Sequence, residues 1–422
     1  MTILLDQRVR IKPSGASLKL IFLNRYFHPD ISATSQMLSG VAFHIAAQGA
    51  KVHVITSRQR YDDPAAGLPA SEIVTGVHVH RVWTSRFGRR SLPGRVLDYA
   101  SFYLSASLEL ARIARCGDIV IAKTDPPLIS VPAALVARLR GARLVNWLQD
   151  IFPEAAERMG MPVGLVAGVI RIARNWSLRS AAVNVVLGER MRDLVRAIPG
   201  AARVEVIHNW ADGEAIVPIA AESNELRKER GLADKFVVAY SGNMGRVHEF
   251  DTILDAAEAL RDHDRIVFLF IGGGHQRERL ANEANARNLD NVIFRPYQPY
   301  EKLSQSLGVA DLHLTTLLPA LESLIVPSKI YGILAAGRPA LHVGDPGGEI
   351  AAILDSAQAG FTVPTGNSAM LARRIVEFAS APALCETFGL NARRAFEERY
   401  HQRIAFELWK RVLLEVDAHA LG

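Results

Sequence analysis

The chain of 422 residues is poor in cysteine: Cys116 and Cys385 lie far apart, with no metal-ligand spacing around either. That excludes a disulfide framework and a cysteine–histidine zinc site, and fits a reducing cytoplasm. No apolar run reaches the roughly 20 residues of a membrane-spanning helix. The longest, around residues 126–139 and 159–170, are broken by proline, glycine or arginine. Residues 1–17 hold only Ile3, Leu4 and Leu5 as an apolar run, too short for a signal-peptide core, and read as a floppy leader. There is no G-x-S-x-G elbow and no nucleophile spaced from a base. Gly272–Gly274 lacks the G-x-G-x-x-G order of a dinucleotide site and reads as a strand-to-helix turn. The D-x-D candidate, Asp262-His-Asp264, falls between a helix and the start of a strand, the wrong end of a sheet for chemistry. The expectation is therefore no metal and no cofactor.

What is present is ample apolar material. Apolar residues make up 49% and charged residues 22%, so the whole length can fold, and 422 residues exceed one ordinary core. Strand-like runs at 18–23, 51–55, 77–82, 118–122, 143–148 and 183–186 alternate with helical segments. The pattern restarts after Gly213, with runs at 236–241, 266–271, 292–294, 311–315, 339–343 and 360–363. Such alternation predicts two α/β domains, each a doubly wound, Rossmann-like parallel sheet, facing a central cleft. The expected boundaries are 1–213 for the N-terminal domain and 214–399 for the C-terminal one. A final helix within 400–422 is free to pack back on the first. Ligands of such sheets bind outside the carboxyl ends of the strands.

Two segments look built for anions. In Tyr240-Ser-Gly-Asn-Met-Gly-Arg246, a strand leads through Gly242, Asn243 and Gly245 toward a helix, and Arg246 adds a planar cation. Downstream, Ser328 reads as an N-cap with Lys329 in the first helical turn. A cation there opposes the helix dipole by a few tenths to about 1 kcal/mol, a mismatch that a bound anion removes. Arg246 and Lys329 on adjacent helix starts would clamp a diphosphate. Glu322, in the loop before, offers paired acceptor oxygens to sugar hydroxyls.

These segments, with Tyr26-Phe-His-Pro-Asp30, Gln149-Asp-Ile-Phe-Pro-Glu154, Val206–Asp212, Ile271–Gly274 and Leu334–Pro339, resemble glycosyltransferase family 4. The likeness runs from Leu18 to about Phe396 and leans toward the branch that builds bacterial surface polysaccharides of colanic-acid or O-antigen type. It implies a GT-B fold and a metal-independent, retaining hexosyl transfer from a nucleotide-diphosphate sugar, with a UDP-sugar favoured, to a lipid-linked saccharide. It implies Arg246, Lys329, Glu322 and Asp150 as catalytic residues. Gly242, Asn243, Gly245, His248, Gly273, Ser323 and Ser328 would line the donor site, with His28 and Glu154 on the acceptor side. The chain departs from the family at Gly332, where a second glutamate is usual, at His248, near the place of a missing lysine, and at Gln149, where a histidine precedes the aspartate. The implied donor cations are then Arg246 and Lys329, aided by His248.

Net charge of +6 favours anionic partners. Between Arg81 and Arg95, Trp83, Phe87 and five arginines stand without an acid, a composition suited to an anionic bilayer surface. The expected location is cytoplasmic, peripheral on the inner face of the plasma membrane, without nucleic acid. The rival readings are a nucleotide-sugar epimerase of the same architecture and a non-catalytic basic binding module.

Overall fold

A computed structural model describes residues 18–63, 65–88, 92–161 and 164–418; the leader expected at 1–17, and Arg89 and Arg90, lie outside them. The first sheet contains β1 (Lys19–Leu23), β2 (Lys51–Ser57), β3 (Ser71–Val74), β4 (Val77–Val82), β5 (Ile119–Lys123), β6 (Arg143–Trp147), β7 (Val183–Val186) and β8 (Val204–Val206). Their order is β3-β4-β2-β1-β5-β6-β7-β8, and only β3 runs antiparallel. The second contains β9 (Phe236–Ser241), β10 (Ile266–Ile271), β11 (Val292–Arg295), β12 (Leu312–Thr316), β13 (Ala340–Gly344) and β14 (Gly360–Pro364). It is wholly parallel, in the order β11-β10-β9-β12-β13-β14.

Central strands β5 and β10 are buried along their whole length, as a parallel sheet covered on both faces requires. Strand β4 alternates instead, with Val77, Val79 and Arg81 turned inward. The sequence reading missed β3 and β8, which are short and lie at the two edges of the sheet. Strand order reverses direction between β1 and β5 in the first sheet and between β9 and β12 in the second. Loops that leave such neighbouring strands in opposite directions open a crevice at their carboxyl ends.

The C-terminal helix Gln402–Ala418 belongs to the first sheet's core. Its Ala405, Phe406, Trp409, Val412 and Leu413 pack with residues of β1, β2 and β6, and the Trp409 ring lies 4.4 Å from that of Trp147. The chain thus crosses from the first sheet to the second and returns.

Candidate active site

At the carboxyl ends of β9 and β10, two glycine loops are pressed together. The amide of Gly242 donates to the Ile271 carbonyl at 2.9 Å, and that of Met244 to the Gly273 carbonyl at 2.7 Å. Gly272 has φ +138, and a Cβ there would stand 2.2 Å from the Gly242 carbonyl oxygen. No side chain fits at that position. Asn243 is exposed, with its carbonyl accepting from the Tyr240 hydroxyl at 2.8 Å, and Gln276 donates to the Gly245 carbonyl at 2.7 Å.

Lys329 reaches into this meeting point from the start of the helix Lys329–Ala335. Its Cε would lie 3.5 Å from a Cβ on Gly242, and its Nζ stands 3.9 Å from the centre of the Tyr240 ring and 3.3 Å from His248 Nε2. It also donates to the Tyr240 hydroxyl. No carboxylate pairs with it among the described residues. Burial pushes its ammonium well below the usual lysine range, so a bound anion has a cation to restore. Ser328 precedes the helix but makes no capping bond with its side chain.

Two expectations are corrected here. Arg246 is not at a helix start: the next helix, Asp251–Ala259, begins five residues later, and Arg246 is exposed on the loop. The intervening residues are pinned to β12 instead, by Thr316 Oγ1 donating to the Glu249 carbonyl at 2.7 Å and Leu318 N to the Val247 carbonyl at 2.9 Å. His248 is not a cation. Its Nδ1 donates to the Thr316 carbonyl at 2.5 Å, which leaves Nε2 a bare acceptor toward Lys329. Burial first, and then the charge of Lys329, depress its imidazole to about 2. It orients the lysine rather than adding charge.

Glu322 is buried. Its Oε1 lies 3.3 Å from His342 Nε2, whose Nδ1 is 3.0 Å from Thr315 Oγ1; its Oε2 has no hydrogen-bond partner. Gly348 is close enough that a Cβ would meet Oε2 at 2.2 Å. The next residue, Glu349, extends its carboxylate to the other domain, where the Arg190 amide donates to it at 3.2 Å. A Cβ on Gly188 would stand 2.3 Å from the Glu349 carboxyl carbon. One short loop therefore touches both Glu322 and the first domain. Neither His342 nor Glu349 was singled out from the sequence; a buried acid opening a helix is visible only once the domains face each other. Ser323, beside Glu322, is half-buried, and Gly273 packs against the Tyr297 ring.

The first domain crosses to the same place. Asp150 forms an isolated antiparallel bridge with Ile325, and Ile151 N donates to the Leu324 carbonyl at 3.0 Å. Desolvation, and then the charge of Asp125, raise the Asp150 carboxyl to about 7, and its Oδ1 has no partner. Glu154 is less available than expected on the acceptor side: Arg171 and Arg174 hold it at 3.0 and 2.8 Å, fixing the short helix Glu154–Arg158. His28 is exposed, its ring 5.7 Å from that of Phe43. Asp262–Asp264 precedes β10, at the amino end of that strand and opposite the glycine loops. Arg81, read as a surface cation, is buried, paired with Glu72 and donating to the His28 carbonyl at 2.8 Å. Its place in the alternation of β4 put it inside.

Two parallel-sheet, Rossmann-like domains with loops meeting across a cleft define the GT-B class of glycosyltransferases. In agreement, residues 222–395 match the family described as Glycosyl transferases group 1, and residues 34–210 match the Glycosyl transferase 4-like domain. The chain is a glycosyltransferase carrying these two domains. It is 28% identical over 308 residues to the probable glycosyltransferase WbjE of Pseudomonas aeruginosa, covering 71% of this chain and 75% of that protein. It is 27% identical over 337 residues to the putative colanic acid biosynthesis glycosyl transferase WcaI of Escherichia coli K12, covering 77% and 83%. Among solved structures, it is similar to sucrose-phosphate synthase of Thermosynechococcus elongatus, with a TM-score of 0.77 at 15% identity and coverage of 95% and 100%. It is also similar to Anabaena HepE in complex with UDP-glucose, with a TM-score of 0.71 at 17% identity and coverage of 94% and 100%.

Proposed function

We propose that this enzyme transfers a hexosyl group from a nucleotide-diphosphate sugar to a lipid-linked saccharide, with retention of configuration and without a metal, in surface-polysaccharide synthesis. The observation that carries the reading is Lys329 Nζ, an ammonium without a carboxylate, aimed at two interlocked glycine loops. That is a place for a diphosphate. As the bond between the anomeric carbon and the diphosphate oxygen breaks, negative charge grows on the leaving group, and Lys329 stabilises it, with Arg246 at the open side. Preorganised charge of this kind is commonly the largest catalytic contribution. Glu322 holds the sugar through its unpartnered oxygen. Asp150, poised near neutrality, takes the proton of the incoming hydroxyl.

Support for a uridine donor comes from HepE, solved with UDP-glucose, and support for the polysaccharide setting from the name of WcaI. Among the described residues no helix is long and apolar enough to cross a membrane, so a lipid-linked acceptor would be met at the bilayer surface. The epimerase and binding-module readings are less well supported, since glycosyltransferase families match both halves of the chain. The test is thermal stabilisation by UDP, GDP and ADP, followed by transfer from the matching sugar nucleotide to a polyprenyl-diphosphate saccharide. A ligand far above its Kd adds about 2–4 kcal/mol. No stabilisation by any of the three would overturn the proposal.

A further inference from the structure

The two faces of the first sheet are covered differently. One carries the helices Ala33–Ala47 and Gln402–Ala418. The other is covered by three neighbouring helices, Leu92–Ile113, Ser130–Arg140 and Ala167–Ser180. Their inner residues, such as Phe102, Ala106, Ala133 and Ala137, form core. Their outer residues are also apolar, where a solvated helix carries charge. Leu104 and Leu108 on the first helix, Leu135 and Leu139 on the second, and Val169 and Ile172 on the third are between 53% and 74% exposed.

The loop leading into the first helix continues this surface. Phe87 N and Gly88 N donate to the Asp98 carboxylate at 3.0 Å each, holding the loop on that helix, while the Trp83 and Phe87 rings stay mostly exposed. Most of the large apolar side chains left exposed among the described residues belong to this face and its loop. A single exposed leucine is unremarkable, but a contiguous apolar face marks a docking surface.

Charge selects the occupant. Arg86, Arg115, Arg138, Arg140 and Arg179 are exposed around this layer, and none pairs with a carboxylate among the described residues. The acids nearby are occupied: Glu109 by Arg112 and His80, Glu157 by Arg171, and Asp98 in the buried loop contact. Arginines at helix C-termini would by themselves answer the helix dipole; the apolar stripe between them has no such account. A second copy of the chain would bring like charges together. We infer that this three-helix face lies on an anionic bilayer, its leucines, valine and isoleucine in the interfacial layer and its arginines at lipid phosphates. The inference rests on the membrane-side acceptor proposed above and names the surface that meets the membrane. The Trp83–Gly88 loop follows the carboxyl end of β4, the edge that faces the cleft, so a lipid-linked acceptor would enter along it.

The experiment is co-sedimentation of the full-length protein with phosphatidylcholine vesicles, with and without phosphatidylglycerol, with UDP binding measured on the same samples. Wild type should sediment with anionic vesicles and be released by salt. Leu104→Ser/Leu108→Ser/Ile172→Ser should cut partitioning by about tenfold or more, with UDP affinity and unfolding temperature unchanged. Arg115→Gln/Arg138→Gln/Arg140→Gln should flatten the salt dependence. Vesicle binding by the apolar variant equal to wild type overturns the inference, as does a wild type that ignores anionic vesicles. A wild-type dimer that the apolar variant converts to monomer also overturns it, by making the face a protein interface. A wild type that binds none of UDP, GDP and ADP would instead remove the proposed nucleotide-sugar transfer and leave the vesicle result standing.

Discussion

The ammonium of Lys329 stands 3.9 Å from the centre of the Tyr240 ring. The electron-rich face partly replaces the missing carboxylate and holds the cation in place without neutralising it. Burial lowers the pKa of this lysine, and a diphosphate beside it would favour the charged form.

Lys329→Ala should lower kcat by two or more orders of magnitude, about 3 kcal/mol, if the lysine stabilises the departing diphosphate. Near-normal turnover with the matching donor would sink the assignment. Because burial depresses the free lysine, nucleotide binding should also take up a proton, and affinity should fall as pH rises. Calorimetry in buffers of different ionisation enthalpy reads that uptake.

Gly272→Ala should destabilise the second domain by roughly 1–3 kcal/mol and remove UDP binding. The added Cβ would strike the Gly242 carbonyl and occupy a left-handed backbone position. Wild-type UDP affinity in a folded variant would show that the two loops need not interlock.

Asp150 links activity and stability to pH. Its folded-state carboxyl, at about 7, lies above its ordinary value. The stability it contributes is therefore complete below that ordinary value and is lost as pH rises through about 7. Asp150→Asn escapes this loss, so its unfolding free energy relative to wild type should improve from pH 4 to pH 8, by a few kcal/mol at most. Transfer should fall at every pH if Asp150 takes the hydroxyl proton. A stability difference that does not change with pH would mean the carboxyl is not raised.

Gly188→Ala tests the contact between domains. Its Cβ would displace the Glu349 carboxylate, which should reduce transfer about tenfold or more while leaving UDP affinity nearly intact. Equal loss of both would place the role of Glu349 in folding of the donor domain.

Activity should survive EDTA. The Asp262–Asp264 motif lies at the amino end of β10, away from the glycine loops. Complete loss on chelation, restored by magnesium or manganese, would reveal a metal site elsewhere.

Much of this was legible along the chain. Apolar runs such as Phe236–Ala239 and Ile266–Ile271 announce buried parallel strands, because a sheet covered on both faces leaves no polar side. Lys329 was conspicuous because it opposes a helix dipole, a local conflict that needs only neighbouring residues to detect. Even the inward turn of Arg81 follows from its parity with Val77 and Val79. Other features depend on residues far apart in sequence. His248 is neutral because the fold buries it and brings Lys329 beside its ring, while the Thr316 carbonyl of β12 fixes which ring nitrogen faces the lysine. Glu349 meets Gly188, and Trp409 meets Trp147, across separations that no local pattern encodes. The apolar outer face emerges only when three helices lie side by side, since each stripe alone reads as ordinary core. Local periodicity specifies which face of an element is apolar; what that face meets depends on the packing of the whole chain.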